Sequence, residues 1–151
     1  MINLTINLSN KIQEYLEGKA QRLGRGNGAK LRVGFLEGAS YPDGTSVALV
    51  AAVQNFGAPS RGIPPRPFFT NMVKNHQDEW PGVIEAALAA ENYDAKEAMR
   101  WVGEHIAGEL RQSILDTNDP PLAPATIRRK GFAKPLVDTG HLLNSIDYEV
   151  E

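Results

Sequence analysis

The side chains in this sequence best suited to acid–base or metal chemistry are His76, His105 and His141, and they are well separated along the chain. None belongs to an H-E-x-x-H segment. His105 and Glu109 are one helical turn apart and would share a helix face, but two ligands do not make a metal site, and they read as an exposed helical pair. Nucleophilic chemistry has as little support. There is no cysteine, which removes disulfides, thiolate ligands and a thiol nucleophile. No serine stands in G-x-S-x-G, and no P-loop is present. Gly24-Arg25-Gly26-Asn27-Gly28-Ala29 formally matches the dinucleotide fingerprint. It follows a helical pattern and leads into a strand pattern, the reverse of the order that motif requires. No catalytic, cofactor-binding or metal-ligating residue is assigned, and the chain is expected not to be an enzyme.

Charge is the next source of chemistry. Arg128, Arg129, Lys130 and Lys134 follow one another without an intervening acid, with Phe132 among them. Such a run suits backbone phosphates, with the ring available for stacking. The chain as a whole carries a net charge of −2 and a pI near 5.9, unlike a dedicated nucleic-acid binder. The run therefore has two readings: a sequence-independent phosphate contact, or a solvated or protein-facing patch. Residues 1–75 hold nine Lys/Arg and four Asp/Glu, and residues 76–151 hold seven and fourteen, so the halves carry +5 and −7. That asymmetry could give neighbouring copies complementary faces, as in head-to-tail rings.

The stretch from Asn55 to Phe69 organises the chain. Its four prolines fix φ and remove backbone donors, so neither a helix nor a central strand can run through Ile63 to Pro67. It is expected to be a stiff, extended connection pinned at both ends by aromatics. Phe56, Gly57, Arg61, Arg66, Pro67 and Phe68 are its candidate loop anchors or partner contacts. Phe56 ends an apolar helix face and is assigned to the core. Arg66 has two compatible readings: a brace bonded to nearby carbonyls and a contact for a partner, since a rigid loop loses less entropy on binding.

The elements that must position these residues follow from periodicity. Ile2, Leu4, Ile6 and Leu8 alternate as a strand, and Ser9 or Asn10 can cap a helix through Leu23. Lys30 to Glu37 reads as a second strand and Tyr41 to Gly44 as a turn. A helix capped by Thr45 or Ser46 runs through Val47 to Gln54, with Gly57 as a left-handed stop; a strand over Val47 to Val53 is the competing reading, and the alanines at 48, 51 and 52 favour the helix. Pro67 suits the first helical position, and the pattern from Phe69 to Leu88, interrupted by Pro81, predicts one kinked helix or two in series. A long helix spans about Asp94 to Asp116, with Ala95, Ala98, Met99, Val102, Ile106, Leu110 and Ile114 or Leu115 inward. Gly103 and Gly108 inside it suggest close approach of another backbone. Pro124 opens a short turn, Asp138 or Thr139 caps another, and Ile146, Tyr148 and Val150 close the chain as a strand. The expectation is one α+β domain over residues 1–151, a small antiparallel sheet with about four helices on one side. A chain of this length can bury roughly 70% of its unfolded surface. With no long apolar run and no leader pattern, it reads as soluble and unexported, with no membrane contact.

Several segments, in their order, resemble a known family. They are Val33-Gly34-Phe35-Leu36, Tyr41-Pro42-Asp43-Gly44-Thr45-Ser46-Val47-Ala48, Phe56-Gly57 and Ile63-Pro64-Pro65-Arg66-Pro67-Phe68. The closing segment Pro135 to Ile146 is similar to that family's last motif, and Thr126 to Lys130 to the region before it. The family is that of small neck and tail-completion (tail-component) proteins of lambdoid siphophages. The likeness covers about residue 33 onward; residues 1–30 rest on pattern alone. It implies a phage or prophage virion protein without catalysis, forming a homo-oligomeric ring at the head–tail junction beside connector and tail proteins. It also implies location in the virion, and in the host cytoplasm during assembly. The family often carries glutamate just before Phe-Gly, where this chain has Asn55.

Overall fold

The computed structural model describes residues 3–7, as backbone only, together with 29–136 and 140–151. The helix expected after Ser9 and the glycine loop at 24–28 lie outside the described residues, as do Asp138 and Thr139.

Strand β2 (Lys30–Phe35) is the centre of a three-stranded antiparallel sheet, between β1 (Asn3–Asn7) and β3 (Ile146–Val150). Alternation assigns its two faces. Leu31, Val33 and Phe35 are fully buried, while Lys30 and Arg32 point the other way, toward Glu149 and Glu151. The register sets Arg32 opposite Glu149 and Phe35 opposite Ile146. Leu4 stands opposite Val33, and Ile6 opposite Leu31.

Helix α1 (Val47–Phe56) starts where the Ser46 hydroxyl accepts from the Leu49 amide, which decides for a helix over a strand in that apolar run. A 3₁₀ turn (Pro59–Arg61) follows. Helices α2 (Phe68–His76) and α3 (Trp80–Ala90) are separate, and Pro81 sits in the first turn of α3, where its missing N–H costs nothing. Helix α4 (Ala95–Asp116) is capped by Asp94, whose carboxylate accepts from the Lys96 and Glu97 amides. The short helices α5 (Pro124–Lys130) and α6 (His141–Asn144) complete the set. Helix α6 opens at Gly140, whose φ of 76° places it in the left-handed region. The fold is α+β, with six helices among the described residues, a few more than the sequence predicts.

Helix α4 is the axle of the core. It packs on β2 and β3 with one side and receives α2 and α3 on the other. Ala98, Met99, Val102, Ile106, Leu110 and Ile114 are all buried, whereas Leu115 turns outward. A Cβ on Gly103 would lie 2.5 Å from the Tyr148 ring and 2.9 Å from Leu31 Cδ1, so this glycine lets helix and sheet close together. The approaching groups are side chains rather than another backbone, and Gly108 has nothing within 4 Å among the described residues. No helix among the described residues is long and apolar enough to cross a membrane.

A braced loop and an exposed helix face

The proline-rich stretch is stiff, but it is not extended throughout. Ala58 and Ile63 exchange two backbone hydrogen bonds, at 2.8 and 3.1 Å, and close a six-residue loop around the 3₁₀ turn. Pro59 fits the turn's first position, and Gly62, at φ 64°, lets the chain reverse. Only the part after Ile63 runs on without helix, strand or turn.

Gly57 joins this loop to α1. Its φ of 76° has the expected sign, but its ψ of 174° is not the helical left-handed conformation; it belongs to a region essentially restricted to glycine. A Cβ there would stand 2.8 Å from Pro65 N and 2.9 Å from Ile63 O. The loop therefore folds directly over the end of the helix.

Arg66 is 6% exposed and braces the loop. Its Nε donates to the Pro120 carbonyl at 3.0 Å, and its terminal nitrogens reach the Pro121 carbonyl and Gln54 Oε1, each at 3.4 Å. Its own amide donates to the Gln54 carbonyl at 2.7 Å. These acceptors are uncharged. Burial holds the guanidinium below the ordinary arginine value, yet it remains a cation at neutral pH. These bonds show Arg66 in its bracing role.

Asn55, where the resembled family often carries glutamate, is 1% exposed. Its Oδ1 accepts from the Phe69 and Thr70 amides at 2.9 and 3.2 Å, and its Nδ2 donates to Thr70 Oγ1 at 2.9 Å. The last turn of α1 thus caps the first turn of α2 from outside. Pro67 immediately precedes α2 and is not its first residue. Phe68 is fully buried, its ring set edge-on to Phe35 with centroids 6.2 Å apart.

Phe56 corrects the core assignment: it is 66% exposed. Helix α1 is apolar on two sides, and the core takes Val47, Ala51 and Asn55, which leaves Phe56 about 100° away. Leu49, 59% exposed, lies two turns before it, with half-buried Val53 between them. The result is an outward stripe of Leu49, Val53 and Phe56 beside the braced loop, whose tip carries exposed Arg61.

The basic run divides. Arg128 and Arg129 are exposed on α5. Lys134 turns back to the end of α4, where its ammonium donates to the carbonyls of Leu115 and Thr117 and to Asn118 Oδ1. There it satisfies the helix's last carbonyls and complements its dipole. Lys130 donates to the Lys134 carbonyl at 3.1 Å and stands 4.6 Å over the Phe132 ring. Arg129, Lys130 and Arg66 border a groove of about 770 Å³ with Tyr41, Asp43 and Pro121.

His105 and Glu109 do share a face of α4, but Glu109 is not exposed: its side chain is 11% accessible. The Trp80 indole donates to Glu109 Oε2 at 2.9 Å, and His76 approaches from the end of α2. His141 lies elsewhere, its Nε2 2.9 Å from the Ser40 carbonyl.

No family model, curated protein or solved structure matches this chain.

Proposed function

We propose that this chain is a structural virion-assembly protein of a phage or prophage, a ring subunit of the neck or tail-completion type at the head–tail junction. The reading comes from the ordered motifs between Val33 and Ile146. The observation that carries it in three dimensions is the Leu49–Val53–Phe56 stripe, presented beside a loop already held rigid by Arg66. A stripe at helical spacing on a pre-organised support offers a neighbouring subunit apolar area at low ordering cost. Trp101, 55% exposed on α4, is a second apolar contact on a different element. A head-to-tail ring needs two unlike surfaces, and these two supply them.

The nucleic-acid reading has less in its favour, because Lys134 and Lys130 are occupied by protein carbonyls, which leaves Arg128 and Arg129 as the exposed pair.

The test is Leu49→Ser combined with Phe56→Ser in the phage or prophage that encodes the chain. Heads and tails should accumulate unjoined in electron micrographs, while the purified variant keeps its melting temperature. Normal joined particles would remove the stripe from the assembly interface.

A further inference from the structure

The turn between α2 and α3 faces the middle of α4, and three potential ligand atoms converge there. His76 Nδ1, a Glu79 carboxylate oxygen and a Glu109 carboxylate oxygen all lie within 4.8 Å of one another. His76 Nδ1 is 3.4 Å from Glu109 Oε1 and 3.7 Å from Glu79 Oε2. Despite these distances it is a buried nitrogen without a hydrogen-bond partner among the described residues. A buried polar atom left without a hydrogen bond costs free energy, and two carboxylates drawn together repel, so a cation held among these three atoms would be stabilised by all of them.

We propose that His76, Glu79 and Glu109 bind one divalent transition-metal ion, zinc by preference. Ligand atoms about 2.0–2.1 Å from a tetrahedral zinc stand about 3.3–3.4 Å from one another. The His76–Glu109 separation already has that value, and the His76–Glu79 separation exceeds it by a few tenths of an ångström. One imidazole and two carboxylates form a mixed nitrogen–oxygen set, which suits zinc and its first-row neighbours rather than magnesium or calcium.

The surroundings fit a ligand shell. The Trp80 indole holds Glu109 through Oε2 and leaves Oε1 for the ion. His105 Nε2 lies 3.2 Å from that same Oε1, and its ring stacks on Trp101. His105 is a positioning residue: its N–H can bond the oxygen that the metal also uses. His76, His105 and Glu109 line a cleft of about 610 Å³, which gives an ion and its remaining water ligand a way in. Bound there, the ion would tie the α2–α3 turn to α4, a link independent of any role in a ring.

The experiment is calorimetric titration of the full chain, stripped with chelator, with Zn²⁺, and with Mg²⁺ as comparison. Wild type should take up one zinc per chain, gain melting temperature with zinc and lose the gain with chelator, and show no comparable response to magnesium. His76→Gln and Glu79→Gln should each weaken zinc binding by at least about tenfold. Glu79 is largely exposed, so its variant should keep the wild-type melting temperature in chelator and separate binding from folding. His141→Gln, outside the cluster, should bind as wild type. Absence of saturable zinc binding, or unchanged affinity in both the His76 and Glu79 variants, would overturn the site and leave His76 as an ion-pair partner of the two carboxylates.

Discussion

Arg66 Nε donates to the Pro120 carbonyl at 3.0 Å and so fastens the proline-rich loop to a segment 54 residues further along. The guanidinium spans three acceptors on two segments, Gln54 on α1 and Pro120 and Pro121 after α4, which no other side chain could do from one Cα. Arg66→Ala should lower stability by about 1–3 kcal/mol, through partly buried acceptors left unpaired. Arg66→Lys should recover less than half of that, since an ammonium is a point donor. Denaturant unfolding of both variants checks this, and a lysine variant as stable as wild type would refute the forked brace.

Gly57 and Gly62 both have positive φ, but only Gly57 is sterically enclosed. Gly62→Ala, with nothing within 4 Å, should cost about 1 kcal/mol, the ordinary penalty of a left-handed alanine. Gly57→Ala meets Pro65 N and Ile63 O at under 3 Å besides the strained dihedral, and should cost about 3 kcal/mol or more. Calorimetric melting temperatures of the two variants should differ in that order. Equal losses would mean that the loop can lift off the helix end.

Much of this architecture is legible from one-dimensional pattern, and the exceptions have physical reasons. Strand β2 and the inward face of α4 follow from periods of two and 3.6, because each buries a single face, and Pro81 signals the interruption between α2 and α3, which falls just ahead of it at residues 77–79. Phe56 departs from the pattern because α1 is apolar on both sides, and hydropathy does not distinguish the side that meets the core. Asn55 gave no sequence signal as a cap, since the amides it serves belong to Phe69 and Thr70 on the next helix. The charge asymmetry between the halves is likewise partly spent inside the molecule, where Lys30 and Arg32 meet Glu149 and Glu151 across the sheet. At the histidine–carboxylate cluster, His105-x-x-x-Glu109 and His76-x-x-Glu79 are each visible as local pairs. Their meeting depends on α2 and α3 packing against α4, which spacing does not reveal.

Asn55 should behave as a helix cap supplied by another helix. Asn55→Ala removes the acceptor for two amides and should cost about 1–2 kcal/mol. Asn55→Asp keeps that acceptor at the positive end of the α2 dipole and should lose less, despite its burial. Amide hydrogen exchange offers a local check: protection of Phe69 and Thr70 should fall in the alanine variant and persist in the aspartate one. Unchanged protection in Asn55→Ala would show that water or another group serves those amides equally well.

The polar face of the sheet should give stability an acid-sensitive component. Lys30 Nζ donates to Glu151 Oε2 at 3.2 Å, and Arg32 Nη1 lies 2.7 Å from Glu151 Oε1. The Lys30 hydrogen bond first, then the charges of Arg32 and Lys30, hold the Glu151 carboxyl below its ordinary value of 4.5. A carboxyl depressed in the folded state binds its proton more readily in the unfolded chain. Its stabilisation is therefore complete above 4.5 and disappears as pH falls through the lower folded value. Glu151→Gln should be less stable than wild type at neutral pH, and the two melting curves should converge at the acid end. Because the pair is exposed, added salt should shrink the neutral-pH difference. A difference that stays constant with pH would show that the glutamine acts through packing and not through loss of the charge.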